Sequence, residues 1–397
     1  MRENREHIHV AGRLADYAVL LNDPAAPAAS ATFWEDGAAA YGSIRAEWER
    51  LASRDGPVAD CYRRIARDAR NVRRYRELQA RLTTLFDREP AMAYRAGRAI
   101  RAADQAIYID HFLGAEVAAS SHATPVTAAA LTDHLSMSAA GGTRTHHPNA
   151  RVQVVIPFRD RTGDSRLRNL LACVAALRDQ APGAGQFFVT VVEADDRPRW
   201  RDVIEPFVQQ YLFLRQPNMF NKSRTVNTGV LNSPVPTELL CVLDADVLVD
   251  RHFVARNAAR FSEPGAVGHL PYRRMSCLDA PSTHAAIRER CFRAAPDIRR
   301  EAIRAYLLRE PPGACFWLTG AAFHLLGGFD ERFEGWGGED NDVVDRATLL
   351  DGFRRFDDEL WHLDHPRPVM RVDGRPLNDN RDWPRWTPAM VDGRAAG

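Results

Sequence analysis

The chain has 397 residues, 45% hydrophobic and 26% charged, ordinary values for a globular protein and enough for one large α/β domain with a smaller module. Its formal net charge of +1 gives no reason to expect nucleic acid or an anionic membrane as a partner. Of 53 basic residues one alone, Lys222, is a lysine, and that bias reads as arginine-rich codon usage.

The first third reads as helical. Between Val58 and Phe86 apolar residues recur at three- and four-residue steps, with Pro57 at the start and Arg88-Glu89-Pro90 after the end, which predicts one long amphipathic helix. A further helix is expected from Ala91 to Ala119. Nothing in this module resembles a catalytic constellation, so packing, acceptor positioning or a homodimer through these helices is the expectation. Residues 121–150 shift to Ala, Ser, Thr, Gly and His, and read as a linker with room for one short helix; His146-His147 there is read as a solvated pair.

Beyond the linker the pattern changes. Apolar runs at Arg151–Pro157, Gln186–Glu193, Tyr211–Arg215 and Leu239–Leu243 alternate with helical periods at Leu167–Arg178, Val203–Gln210 and Ser223–Leu231. Continuous apolar strands alternating with helices predict an α/β fold with a mainly parallel sheet covered on both faces. Ligands in such sheets sit beyond the carboxyl ends of the strands, so the residues there deserve inspection first. The expected organisation is a helical module over 1–120, a linker over 121–150, a catalytic domain over 151–370 and a C-terminal extension over 371–397.

Asp244-Ala245-Asp246 directly follows the apolar run LLCVL. Two carboxylates at a strand end offer hard oxygen ligands for Mn²⁺ or Mg²⁺, which can bridge the phosphates of a nucleotide donor. A lone DxD is a weak signal, and a solvated acidic turn is the plain alternative. More specific is Gly335-Trp336-Gly337-Gly338-Glu339-Asp340-Asn341-Asp342, in which glycines admit close approach, Trp336 offers a flat face to a sugar and the acids offer a base. The plain alternative here is N-terminal capping of a helix over Asn341–Leu350.

This string resembles the WGGEDDD-type segment of β-1,4-galactosyltransferases and related inverting transferases of the GT-A fold, including chondroitin-polymerase-like enzymes. Further segments follow in that family's order: Ile156–Arg161, Phe220-Asn221-Lys222, Asn227-Thr228-Gly229, the DxD, Gly327–Asp330 and Trp361–His365. The resemblance covers roughly residues 151–370. It implies a UDP-sugar donor and a hydroxyl-bearing acceptor, either a small molecule or a glycan. Pro157, Phe158, Arg159 and Arg161 would line the nucleotide pocket, with Phe220, Asn221 and Lys222 opposite and Gly313 near the donor sugar. Asp246 would be the main metal ligand, with Asp244 at the metal and helping to hold the donor, His362 as second ligand and His365 as its alternative. Trp336 and Glu339 would shape the acceptor side, and Asp340 would be the catalytic base.

The chain also departs from that pattern. The family's arginine is Lys222 here, so a planar contact becomes a point charge. The six cysteines, Cys61, Cys173, Cys241, Cys277, Cys291 and Cys315, contain no CxxC pair and suggest neither a zinc ribbon nor a disulfide framework. No signal peptide and no apolar run of roughly 18–20 residues is present, so a cytoplasmic location is expected. Two competing readings are a sugar-nucleotide pyrophosphorylase, disfavoured because Pro157–Arg161 has no glycine for a phosphate loop, and a non-catalytic sugar-nucleotide or glycan binder.

Overall fold

A computed structural model describes residues 2–117, 124–139, 150–161, 165–368, 371–372, 375–378, 383 and 386. The chain divides into two compact units: Met1–His122 with Met275–Ser282 and Arg300–Glu310, and Ala123–Arg274 with Thr283–Arg299 and Pro311–Gly397.

The larger unit is built on a seven-stranded sheet. Its strands are β1 (Val152–Phe158), β2 (Phe187–Asp195), β3 (Gln210–Arg215), β4 (Leu239–Leu243), β5 (Gly268–Leu270), β6 (Cys315–Thr319) and β7 (Phe353–Arg355), in the order β7-β5-β6-β4-β1-β2-β3. Strand β1 pairs in parallel with β2 and β4, and β2 with β3. Every residue of β1 and β4 is buried, the mark of strands covered on both faces. Each fully buried Val or Leu contributes about 1.5–3 kcal/mol relative to exposure, so these short runs fix the centre of the sheet. The fold is mixed α/β with a mostly parallel sheet, as the alternating pattern implies.

Strand β6 runs against β4, with Cys315 opposite Leu243. Residues just before β6 therefore meet residues just after β4, and the Asp244 amide donates to the Ala314 carbonyl at 2.9 Å. Around the sheet lie helices α1 (Ser165–Arg178), α2 (Lys222–Leu231), α3 (Gly320–Leu326) and α4 (Glu339–Thr348). Helix α2 starts where Asn221 Oδ1 accepts the Arg224 amide at 2.7 Å, a side-chain N-cap. A second strand pairing sets Glu359–His362 antiparallel to Val247–Leu248, with His362 opposite Val247.

The smaller unit is mainly helical, and two of its helices correct the sequence reading. The single helix expected across Val58–Phe86 is two, Gly56–Arg67 and Val72–Arg88. Asn71 ends the continuity by capping the second one, accepting the Arg74 amide at 3.1 Å. The helix expected over Ala91–Ala119 stops at Ala103, and Ile109–Leu113 is a strand. Burial of Ile107, Ile109 and His111 alternates with exposure or half-burial of their neighbours, a period of two that the helical reading overlooked. That strand pairs with Arg304–Arg309, and the buried Arg304 guanidinium ties the returning segment in by contacts to Asp23 at 2.8 Å and His111 at 3.2 Å. A buried charge is tolerated only when paired in this way.

In the larger unit, the helix expected over Val203–Gln210 is two short turns, Arg201–Ile204 and Glu205–Phe207, because Pro206 in the second has no N–H to continue the helix. The short helix allowed for in the linker is present at Ala128–Ala139, whereas His146 and His147 lie outside the described residues.

Candidate active site

At the carboxyl ends of β1 and β4 the chain gathers two adjoining groups of charge. The first is anionic with one ammonium at its centre. Lys222, the first residue of α2, lies with Nζ 2.8 Å from Asp244 Oδ1 and 3.0 Å from both Oδ atoms of Asp340. Asp340 reaches it from the first turn of α4, where acids are favoured by the helix dipole. The cap of α4 is Gly338 and no side chain bonds there, so capping does not account for the Asp340 carboxylate.

Gly313 closes the other side of Asp340. A Cβ at this position would meet Asp340 Oδ2, so a larger residue would force the carboxylate to shift from where it stands. The Tyr272 hydroxyl in turn donates to the Gly313 and Pro311 carbonyls, the latter at 3.0 Å. Beside Asp340, Glu339 is 8% exposed, and burial with the neighbouring Asp340 charge pushes its carboxyl up to about 7. Burial likewise raises Asp244 to about 6 although Lys222 opposes it. Burial by itself would lower the Lys222 ammonium, but Asp244, Asp340 and Glu339 outweigh it and hold the group well above the ordinary lysine value.

The second group is Asp246, His362 and His365, whose ligand atoms all lie within 4.8 Å of one another. His365 Nε2 is 2.8 Å from Asp246 Oδ2, and His362 Nε2 is 3.4 Å from Oδ1. Pairing of the strand that ends in His362 with Val247–Leu248 sets the first imidazole beside Asp246, and the Leu363 amide donates to the Asp246 carbonyl at 2.8 Å. Burial would raise Asp246, but His362 and His365 outweigh it and hold the carboxyl far below the usual range. Burial pushes His362 down to about 3 against the pull of Asp246, so near neutral pH it is an uncharged imidazole with a lone pair to give.

Asp246 Oδ1 and His362 Nδ1 are buried without a hydrogen-bond partner among the described residues. Buried polar atoms left this way call for an explanation, and one carboxylate with two imidazoles fits a divalent cation. Asp244, which the sequence places beside the metal, faces Lys222 instead of this trio. His365, ranked behind His362 by the sequence, makes the shorter contact with Asp246.

The other expected residues divide between site and scaffold. Pro157 and Phe158 are buried at the end of β1. Arg159 donates to the Gln216 and Asn218 carbonyls at 2.6 and 2.7 Å, and its guanidinium lies 5.3 Å from the Phe220 ring centre. Arg161 pairs with Asp195 at 2.7 Å and donates to the Pro217 carbonyl at 2.9 Å. Both arginines thus shape the 216–220 loop that leads into α2. Besides capping α2, Asn221 donates to the Glu331 carbonyl at 2.6 Å. Asn227 joins two motifs that the sequence keeps apart: its amide donates to the Phe329 carbonyl at 2.8 Å and its oxygen accepts the Phe329 amide at 2.9 Å. Half-buried Trp336 sits in a loop whose Gly335 amide donates to the Phe220 carbonyl at 2.7 Å.

Comparison with known proteins gives matches to two families. Residues 153–320 match the family described as glycosyl transferase family 2, and residues 306–360 match that described as N-terminal domain of galactosyltransferase. Residues 153–360 are thus similar to glycosyltransferase domains. Comparison with curated proteins returns no match.

Among solved structures, S. aureus TarS 1-349 is 11% identical with a TM-score of 0.38, over 54% of this chain and 60% of that one, less than two thirds of its length. The catalytic domain of Drosophila β1,4-galactosyltransferase 7 in complex with xylobiose is 14% identical with a TM-score of 0.34, over 57% of this chain and 77% of that one. A mutant form of the Drosophila enzyme, in complex with manganese, UDP-Gal and xylobiose, is also 14% identical with a TM-score of 0.34, over 62% of this chain and 82% of that one.

Proposed function

We propose that the chain is a metal-dependent, inverting glycosyltransferase that moves a hexose or N-acetylhexosamine from a UDP-sugar to a hydroxyl of a small molecule or glycan. The observation that carries this reading is the placement of a carboxylate, Asp340, beside a cation-fitting trio at the ends of the same strands. UDP is favoured by the resemblance of Ile156–Arg161 and Phe220–Lys222 to nucleotide-binding segments. Six buried cysteines, none in a disulfide among the described residues, favour a reducing compartment such as the cytoplasm. Among the described residues no helix is long and apolar enough to cross a membrane.

A neutral hydroxyl needs a base within hydrogen-bond reach. Asp340 takes the acceptor's proton as the acceptor oxygen bonds to the anomeric carbon. The bond from that carbon to the diphosphate oxygen breaks in the same displacement, with its electron pair leaving on the diphosphate, and the configuration inverts. A divalent cation held by Asp246, His362 and His365 would neutralise the charge that develops on the diphosphate. Two imidazoles in that set favour Mn²⁺ over Mg²⁺, which prefers oxygen and retains its waters. Lys222 keeps Asp244 and Asp340 from repelling each other, and must release Asp340 when the hydroxyl arrives.

The test is turnover of a panel of UDP-sugars with and without Mn²⁺, repeated for Asp340→Asn. The expected result is metal-dependent turnover that falls about 10²–10⁴-fold in the variant. Near wild-type turnover in Asp340→Asn would remove the assignment. Saturable donor binding in a thermal-shift assay with no turnover of any donor or acceptor would favour the non-catalytic binder.

A further inference from the structure

The matched regions end at residue 360, and the chain beyond 370 contributes no acid, base or cation ligand to the site among the described residues. Four of its described residues nevertheless grip the loop Glu334–Gly338 and the turn before it. Asn378 Nδ2 donates to the Gly337 carbonyl at 2.7 Å and the Glu334 carbonyl at 3.1 Å, and its Oδ1 accepts the Glu334 amide at 3.2 Å. Leu377 lies so close to Gly335 that a Cβ there would stand 2.8 Å from Leu377 Cδ1. Trp386, 6% exposed, donates its indole N–H to the Gly327 carbonyl at 2.7 Å. The Trp383 ring stands 4.9 Å from that of Phe333, the side chain that fills the space beside Gly338.

The loop needs such support. Gly335, Gly337 and Gly338 hold φ of 75°, 97° and 99°, so three of its five residues have the widest freedom to leave this conformation and no side chain with which to anchor it. Asp340 follows two residues after the last of them. An error in the loop passes directly into the first turn of α4 and moves the carboxylate.

We infer that Leu377, Asn378, Trp383 and Trp386 form a clamp on the glycine loop, with Asn378 a positioning residue that sets Trp336 and Asp340 relative to the strand-end acids. The inference rests on the reading of Asp340 as base. It gives the C-terminal extension a part in the reaction without contact with the reacting atoms.

Asn378→Asp keeps the side-chain shape but cannot donate, so two carbonyls would face a carboxylate; Trp386→Phe removes the one indole donor. On the full chain, hydrogen exchange in 334–338 should accelerate about tenfold or more in Asn378→Asp, and less in Trp386→Phe, with Leu239–Leu243 as protected as in the wild type. With UDP-galactose, UDP-glucose and UDP-N-acetylglucosamine plus Mn²⁺, kcat for donor hydrolysis should fall about tenfold while the donor KM stays within about twofold.

Wild-type exchange in the loop of Asn378→Asp overturns the clamp. Protection lost equally in Leu239–Leu243 overturns it in favour of general stabilisation, and faster loop exchange with unchanged kcat overturns the positioning role. If the wild-type chain turns over none of the three donors, the reading of Asp340 fails on its own, and the exchange comparison still decides whether the extension holds the loop.

Discussion

Asp244 and Asp246 are two positions apart at the end of one strand, yet they occupy opposite electrostatic settings. Asp244 sits among acids and shares Lys222 with Asp340, and its carboxyl is pushed up to about 6. Asp246 turns to His362 and His365 and is driven far below the ordinary range. The chain turns out of β4 between them, so one dipeptide step separates a cation-bound acid pair from a cluster with room for an added cation. In this chain the two aspartates of the DxD therefore face different groups. Treating it as one bidentate motif would merge the proposed metal-binding role of Asp246 with the pairing of Asp244 to Lys222.

That division can be broken experimentally. The largest expected effect is at Lys222. Lys222→Met would leave Asp244, Asp340 and Glu339 without their counter-charge, and loss of one partner of a buried pair costs about 3–5 kcal/mol. Urea denaturation at pH 8 measures it; a loss below about 1 kcal/mol would mean that the ammonium is not holding the acids together.

Next comes the trio. Asp246→Asn should weaken Mn²⁺ binding about a hundredfold or more by calorimetry, while Asp244→Asn changes it only a few-fold. Equal losses would reunite the two aspartates in one metal site.

Glu339 gives a smaller, pH-dependent effect. Its folded-state value of about 7 lies above the unfolded one, so between about pH 4.5 and 7 the folded chain binds more protons and stability falls as pH rises. Glu339→Gln should be the more stable protein above pH 7, by a few kcal/mol at most, and gain nothing near pH 4. A gain that persists at pH 4 would assign the effect to something other than the buried charge. Smallest is Lys222→Arg: a planar fork in place of a compact ammonium should lower donor turnover about tenfold with little loss of stability.

The sequence revealed most where burial alone decides. The run LLCVL is a strand from Leu239 to Leu243 as read, because a five-residue apolar run with acids after it has few other places to go. It misled where two signals competed. Asn71 is an N-cap inside an unbroken apolar period, and Ile107–His111 alternates within a stretch rich in helix formers.

At the site the motifs named the right residue types but not their meetings. Lys222 and Asp340 are 118 positions apart, and no local pattern says that the lysine of the Phe220–Lys222 segment reaches the acid of the glycine string. Trp386 had no signal at all, since its hydrogen bond to Gly327 depends on how a terminal segment folds back.

The lone lysine has one more consequence, for covalent chemistry. Lys222 is the only side-chain amine in the chain, so an amine-selective acylating reagent has a single lysine to modify, and that lysine lies between the two acids. Held protonated there, it should react slowly. Its acylation rate then becomes a clock for how often the ammonium lets go of Asp340, the release that proton transfer to Asp340 would require under the proposed mechanism.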